Sequence, residues 1–132
     1  MYIKINGESY EVATNLGTTY DLEKKFNNKK VRDILSGIEE YDLEQLISIL
    51  YVGFKRKNPN IDYKTFSEIV LNDNDFNYTS FIKEISVFCN LCLSANSNEQ
   101  DVRDRIEKIY ARNQEEVEAE IEHIVEEDNE KN

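Results

Sequence analysis

Apolar positions alternate at the start of the chain and then recur at helical spacing along the rest of it. Ile3 and Ile5 precede, and Tyr10 and Val12 follow, the dipeptide Asn6-Gly7. That dipeptide suits a two-residue type I′ turn, whose central residues both need positive φ. The pattern predicts an antiparallel hairpin. Leu16 to Phe26 then reads as a helix capped by Thr14 or Asn15, with Leu16, Tyr20, Leu22 and Phe26 turned inward and Gly17 weakening its first turn. Asn27-Asn28 ends it, and a short helix from Val31 to Ser36 closes on Gly37, placed to be a left-handed C′ residue. Asp42 and Gln45 have the spacing of a capping box, and Leu43, Leu46, Ile47, Leu50 and Phe54 keep a helical period, as a central core helix would. The basic run Lys55-Arg56-Lys57 suits the C-terminus of that helix, where cations favour the dipole, and Pro59 lies just past the stop.

Further along, Asp62 caps a helix through Tyr63, Phe66, Ile69 and Val70, and residues 72–77 make a polar break. The next helix runs from about Thr79 to Ala95, with Phe81, Ile82, Ile85, Phe88, Cys89, Cys92 and Leu93 covering a face wide enough for packing on several sides. Residues 94–98 form a small polar linker. From Glu99 a long helix carries a thin stripe at Val102, Ile106, Ile109, Val117, Ile121 and Ile124, interrupted at Asn113. Such a stripe is narrower than a globular helix usually needs, and has the form of a seam for pairing with another helix. Too few strand signals remain for a larger sheet, so the hairpin must lie on a helical body. The fold class expected is mostly α: a helical domain with a small N-terminal antiparallel β-hairpin over residues 1–95, and an acidic helical or partly disordered tail over 96–132.

Composition sharpens that division. The chain has 132 residues, 39% hydrophobic and 33% charged, with a formal net charge of −11. That length is one domain's worth. Residues 99–132 carry thirteen acidic side chains against five basic ones, and residues 1–98 fourteen against eleven, so the acidity is concentrated at one end. The first residues lack a basic region leading into an apolar segment, and the longest apolar stretch, Leu46 to Phe54, is half the length of a membrane span. A soluble, intracellular protein is expected. Two cysteines do not make a disulfide framework, which fits a reducing compartment. The net charge opposes nucleic acid and anionic lipid, leaving a protein as the expected partner.

Candidate chemistry is sparse. Asp73, Asp75, Asn77, Thr79 and Glu84 reproduce the ligand spacing of a calcium-binding EF-hand loop, but Tyr78 occupies the position that needs glycine and Ser80 the one usually apolar. The alternative is a polar turn in which Asn77 or Thr79 caps the next helix and Glu84 is a solvated first-turn acid. Cys89 and Cys92 have redox or zinc spacing, yet they fall inside an apolar helix between Phe88 and Leu93, as core thiols do. The sole histidine, His123, lies in the tail, and no glycine-rich phosphate loop or nucleophile motif accompanies it. No catalytic, cofactor or metal residues are therefore assigned, and no enzyme activity is expected. Lys24, Lys25, Lys29, Lys30 and Arg32 form the one local basic cluster, which could touch phosphate but is read as a solvated face, or as a dock for an acidic segment such as the tail of a neighbouring subunit.

The order of these features resembles a known family. The hairpin Ile3–Val12 with its Asn6-Gly7-Glu8 turn is followed by Tyr20-Asp21-Leu22-Glu23-Lys24-Lys25-Phe26, then by Asp42-Leu43-Glu44-Gln45-Leu46 leading to Gly53-Phe54-Lys55 and Asn58-Pro59-Asn60. Over about residues 1–95 this is similar to the tail assembly chaperones of long-tailed bacteriophages. The resemblance implies a non-enzymatic, cofactor-free, mainly helical protein. It would bind the tape measure protein and keep it soluble until the tail tube polymerises around it. It further implies self-association, the tail tube protein as a second candidate partner, a place in the host bacterial cytoplasm and absence from the mature virion. Neither nucleic acid nor membrane is implied.

The narrow stripe points the same way, since it cannot bury its seam alone and invites a helical partner. Val102, Ile106, Ile109, Val117, Ile121 and Ile124 are the expected partner contacts. Two rival readings stand beside this one. The carboxylate row from Glu115 to Glu130 could mimic nucleic acid and inhibit a basic DNA-handling protein, and a generic helical interaction module would show the same patterning.

Overall fold

The computed structural model describes residues 1–94 and 96–112. Strand β1 (Tyr2–Ile5) pairs antiparallel with β2 (Glu8–Glu11), with Ile5 opposite Glu8 and Tyr2 opposite Glu11. Asn6 and Gly7 take φ of 53° and 80°, both positive as the type I′ turn requires. Alternation then puts Ile3 and Ile5 on the buried face. Past β2, the Val12 N–H donates to the Met1 carbonyl at 2.7 Å and the Ala13 N–H to the Gly53 carbonyl at 3.0 Å, which ties the hairpin to the helical body.

Helix α1 (Leu16–Lys25) starts at Asn15, whose side chain accepts from the Thr18 N–H and the Thr18 hydroxyl, each at 3.0 Å. Its inward face differs from the expected one. Leu16 and Tyr20 are 80% and 61% exposed, whereas Thr18 and Leu22 are buried and Phe26 half-buried. The physical reason is the cap: with its hydroxyl already bonded to Asn15, Thr18 can be buried at little desolvation cost, and the helix turns that side to the core. Asn27 and Asn28, at φ of 57° and 66°, reverse the chain in the left-handed region that asparagine tolerates. Helix α2 (Val31–Ser36) comes next. Gly37, expected to be left-handed, has φ −98° and ψ 7° instead, because it leads into a 3-10 turn (Ile38–Glu40) with the Glu40 N–H donating to its carbonyl at 3.0 Å.

Helix α3 (Leu43–Lys57) opens with the full Asp42–Gln45 capping box and runs through the middle of the core, packing on α1, α4, α5 and β2. Leu46, Ile47, Ile49, Leu50 and Phe54 are buried along it. Helix α4 (Tyr63–Leu71) is capped by Asp62 and stacks Phe66 on Phe54 with ring centroids 4.2 Å apart. Helix α5 (Tyr78–Leu93) is capped by Asn77 and is buried on nearly every side, although Leu93, expected inside, is exposed.

Residues 99–112 form a last described helix, α6, with the Asn98 side chain accepting from the Asp101 N–H at 3.1 Å. Val102 and Ile106 join Val87 and Leu91 in a second buried cluster on the flank of α5. Arg103 adds a bidentate pair to Glu84 at 2.7 and 3.2 Å and donates to the Tyr2 carbonyl at 3.2 Å. The fold thus continues past Asn98, while residues 113–132 of the acidic tail lie outside the described residues. Among the described residues no helix is long and apolar enough to cross a membrane.

Candidate partner-binding site

Three of the larger exposed apolar side chains gather where the start of α3, the end of α4 and the start of α5 meet. Leu43, Leu71 and Tyr78 are 37%, 59% and 49% exposed. Each sits at a helix terminus: Leu43 and Tyr78 directly follow the caps Asp42 and Asn77, and Leu71 is the last residue of α4. Local capping chemistry thus sets their positions.

Between them lies an apolar groove made of two adjoining cavities that share Leu43 and Leu71. One, of about 170 Å³, continues to Val70, Phe76, Tyr78 and Phe81. The other, of about 380 Å³, continues to Ile47, Tyr63 and Ser67. Among the described residues the Ser67 hydroxyl, beside the second cavity, finds no hydrogen-bond partner. A shallower depression shares Glu44 and Tyr63 with the groove and is bordered by Lys25. At the opposite end, the Tyr78 hydroxyl donates to the Tyr41 carbonyl at 3.1 Å, and Lys29 Nζ donates to the Tyr41 hydroxyl at 3.3 Å. The groove's lining is largely apolar, and its charged members are the acids Asp73 and Glu44.

The residues expected to make partner contacts fare differently. Val102 and Ile106 are corrected to core positions, because the seam finds its complement within the chain, at Val87 and Leu91. Ile109 is 44% exposed, and Val117, Ile121 and Ile124 lie outside the described residues, as do His123 and the carboxylate row from Glu115 to Glu130.

The EF-hand-like spacing is put to structural use. Asp73 accepts from the Asp75 N–H in a turn at 3.0 Å, Asn77 accepts from the Ser80 N–H at 2.8 Å, and Glu84 holds Arg103 rather than standing in solvent. Among the described residues no group of three His, Cys, Asp or Glu side chains could hold a metal ion. Cys89 and Cys92 are buried free thiols, and burial pushes both thiols up, Cys92 to about 12. The basic cluster is exposed throughout, with Lys24 lying over the Tyr20 ring at 5.5 Å. The chain matches no known protein family, no curated protein and no solved structure.

Proposed function

We propose that this chain is a tail assembly chaperone of the long-tailed phage type, acting in the host cytoplasm to hold the tape measure protein soluble while the tail tube assembles. The observation that carries the reading is the groove of Leu43, Leu71 and Tyr78, an exposed apolar surface at the junction of three helices. Tape measure proteins are largely helical and amphipathic, and an isolated amphipathic helix needs such a surface to cover its apolar face. The order of hairpin, caps and helices that resembles the family supports the same reading, as does the acidic balance of the chain, which keeps a loaded assembly soluble.

The test is co-expression of the full-length chain, unaltered or as Leu71→Glu, with the tape measure protein of the same genome. Leu71 is exposed at the end of α4, so the charge leaves the fold intact, which circular dichroism checks. A soluble complex with the unaltered chain and an insoluble partner with Leu71→Glu are expected. A partner insoluble with both would overturn the reading. A shortened chain for this purpose has to end after Arg112, since a cut after Asn98 removes Val102, Arg103 and Ile106 from their packing.

A further inference from the structure

The charge around the apolar groove is mostly of one sign. Residues 42–47 and 62–81, the stretches that build it, hold six carboxylates, Asp42, Glu44, Asp62, Glu68, Asp73 and Asp75, against the single cation Lys64. Among the described residues none of the six makes an ion pair, whereas Glu11, Asp21, Asp33, Glu84, Glu99 and Glu107 all do. Asp42, Asp62 and Asp73 accept from the backbone N–H groups of Gln45, Thr65 and Asp75, which leaves their charge in place. Two further cations stand at the margin. Lys25 lines the shallower depression beside Glu44, and Lys29 is held at the Tyr41 hydroxyl at 3.3 Å, so the balance with Lys64 stays negative.

The helix ends add to that field. Helix α4 ends at the groove with Leu71, which sets its negative pole there, with Glu68 and no cation in the last turn. The positive poles of α3 and α5 open on the same place, but both are capped, that of α3 by the Asp42 carboxylate and that of α5 by Asn77. The walls are helices, whose backbone groups bond internally, and the hairpin lies toward the other end of α3, where Ala13 meets Gly53. The groove thus presents side chains and no strand edge to a visitor.

We propose that the occupant of this groove is a basic amphipathic helix. Apolar side chains from its successive turns enter the two adjoining cavities over Leu43 and Leu71, and lysines or arginines flanking them meet Glu44 on one cavity and Asp73 on the other. The inference rests on the reading of the groove as the partner's seat, and it names the chemistry that the bound segment of that partner carries.

The experiment titrates three alanine-rich peptides of roughly twenty residues, long enough to hold helix, into the isotope-enriched full-length chain. All three carry leucines at i, i+4 and i+7, flanked by lysines in the first, glutamines in the second and glutamates in the third. Amide shifts at Leu43, Leu71 and Tyr78 are expected to saturate with the lysine peptide at about tenfold lower concentration than with the glutamine peptide, and to stay still with the glutamate peptide; added salt is expected to shrink the preference. Glu44→Gln is expected to weaken the lysine peptide by about two- to fivefold, and Glu8→Gln, at the hairpin tip, to leave it unchanged. Equal losses from the two substitutions would assign the attraction to net charge and overturn the proposal, as would lysine-peptide shifts confined to residues outside the groove. Equal binding of the lysine and glutamine peptides at the groove would overturn the basic character and keep the groove as a seat. If no peptide shifts the groove amides, this inference falls, and the co-expression with Leu71→Glu decides the proposed function separately.

Discussion

Replacing Gly53 with alanine probes how the hairpin sits on the helical body. Gly53 lies inside α3, where an alanine would ordinarily gain about 1 kcal/mol of helix propensity. Here the added methyl would stand 2.5 Å from the Ala13 carbonyl oxygen, 2.5 Å from Phe88 Cε2 and 2.8 Å from Val12 Cγ1. Neither strand nor ring can easily retreat: the Ala13 N–H is bonded to the Gly53 carbonyl, the Val12 N–H to Met1, and Phe88 is fully buried. Overpacking costs about 1–3 kcal/mol, and anchored neighbours place this site toward the upper end. Less the propensity gain, Gly53→Ala is expected to destabilise the protein by about 1–2 kcal/mol. With a urea dependence of about 1–3 kcal/mol per molar, the unfolding midpoint falls by roughly 0.3–2 M at unchanged slope. Urea titration of the full-length chain, followed by far-ultraviolet circular dichroism, reads this directly. A midpoint equal to or above that of the unaltered chain would refute the close approach of residues 12–13 to α3.

Arg103→Ala removes a half-buried bidentate pair and a bond to the Tyr2 carbonyl, and is expected to cost about 1–2 kcal/mol; a double-mutant cycle with Glu84→Gln that shows no coupling would contradict the docking of α6 on α5. Burial and raised pKa make Cys89 and Cys92 inert to iodoacetamide at mildly alkaline pH in the folded chain and reactive in denaturant, so rapid alkylation of either in the native state, read by mass spectrometry, would refute their placement. Hydrogen bonds from Thr65, chiefly its backbone N–H, hold the Asp62 carboxyl below its ordinary range. Because the folded-state pKa is the lower one, the contribution of this cap is present above the unfolded-state pKa and is lost as pH falls through the folded-state value. Asp62→Asn keeps the cap and is expected to weaken the fall in melting temperature on acidification; an unchanged acid limb would refute that role.

Local chemistry is readable in the chain, and its packing only in part. The Asn6-Gly7 turn, the Asp42–Gln45 box and the caps at Asn15, Asp62 and Asn77 involve residues a few positions apart, so neighbouring side chains alone define them. Which face of α1 turns inward is not readable by counting apolar residues, because a hydrogen bond lets Thr18 be buried while Leu16 and Tyr20 stay outside. The stripe of α6 is plain in the sequence, and its complement is written there more faintly: Val87 and Leu91, four apart, make a second narrow stripe on the flank of α5. Their spacing is the available signal. The groove has no comparable signal, since Leu43, Leu71 and Tyr78 come from three helices and meet only through the tertiary fold.

Hydrogen exchange of the full-length chain, alone and mixed with the tape measure protein proposed as its partner, tests the groove as the binding site residue by residue. Added protection in the complex is expected over residues 43–47, 63–71 and 76–81, which line the groove, with the hairpin unchanged. A stable complex whose added protection falls elsewhere and leaves those three stretches as they are in the free chain would contradict the groove as the binding site.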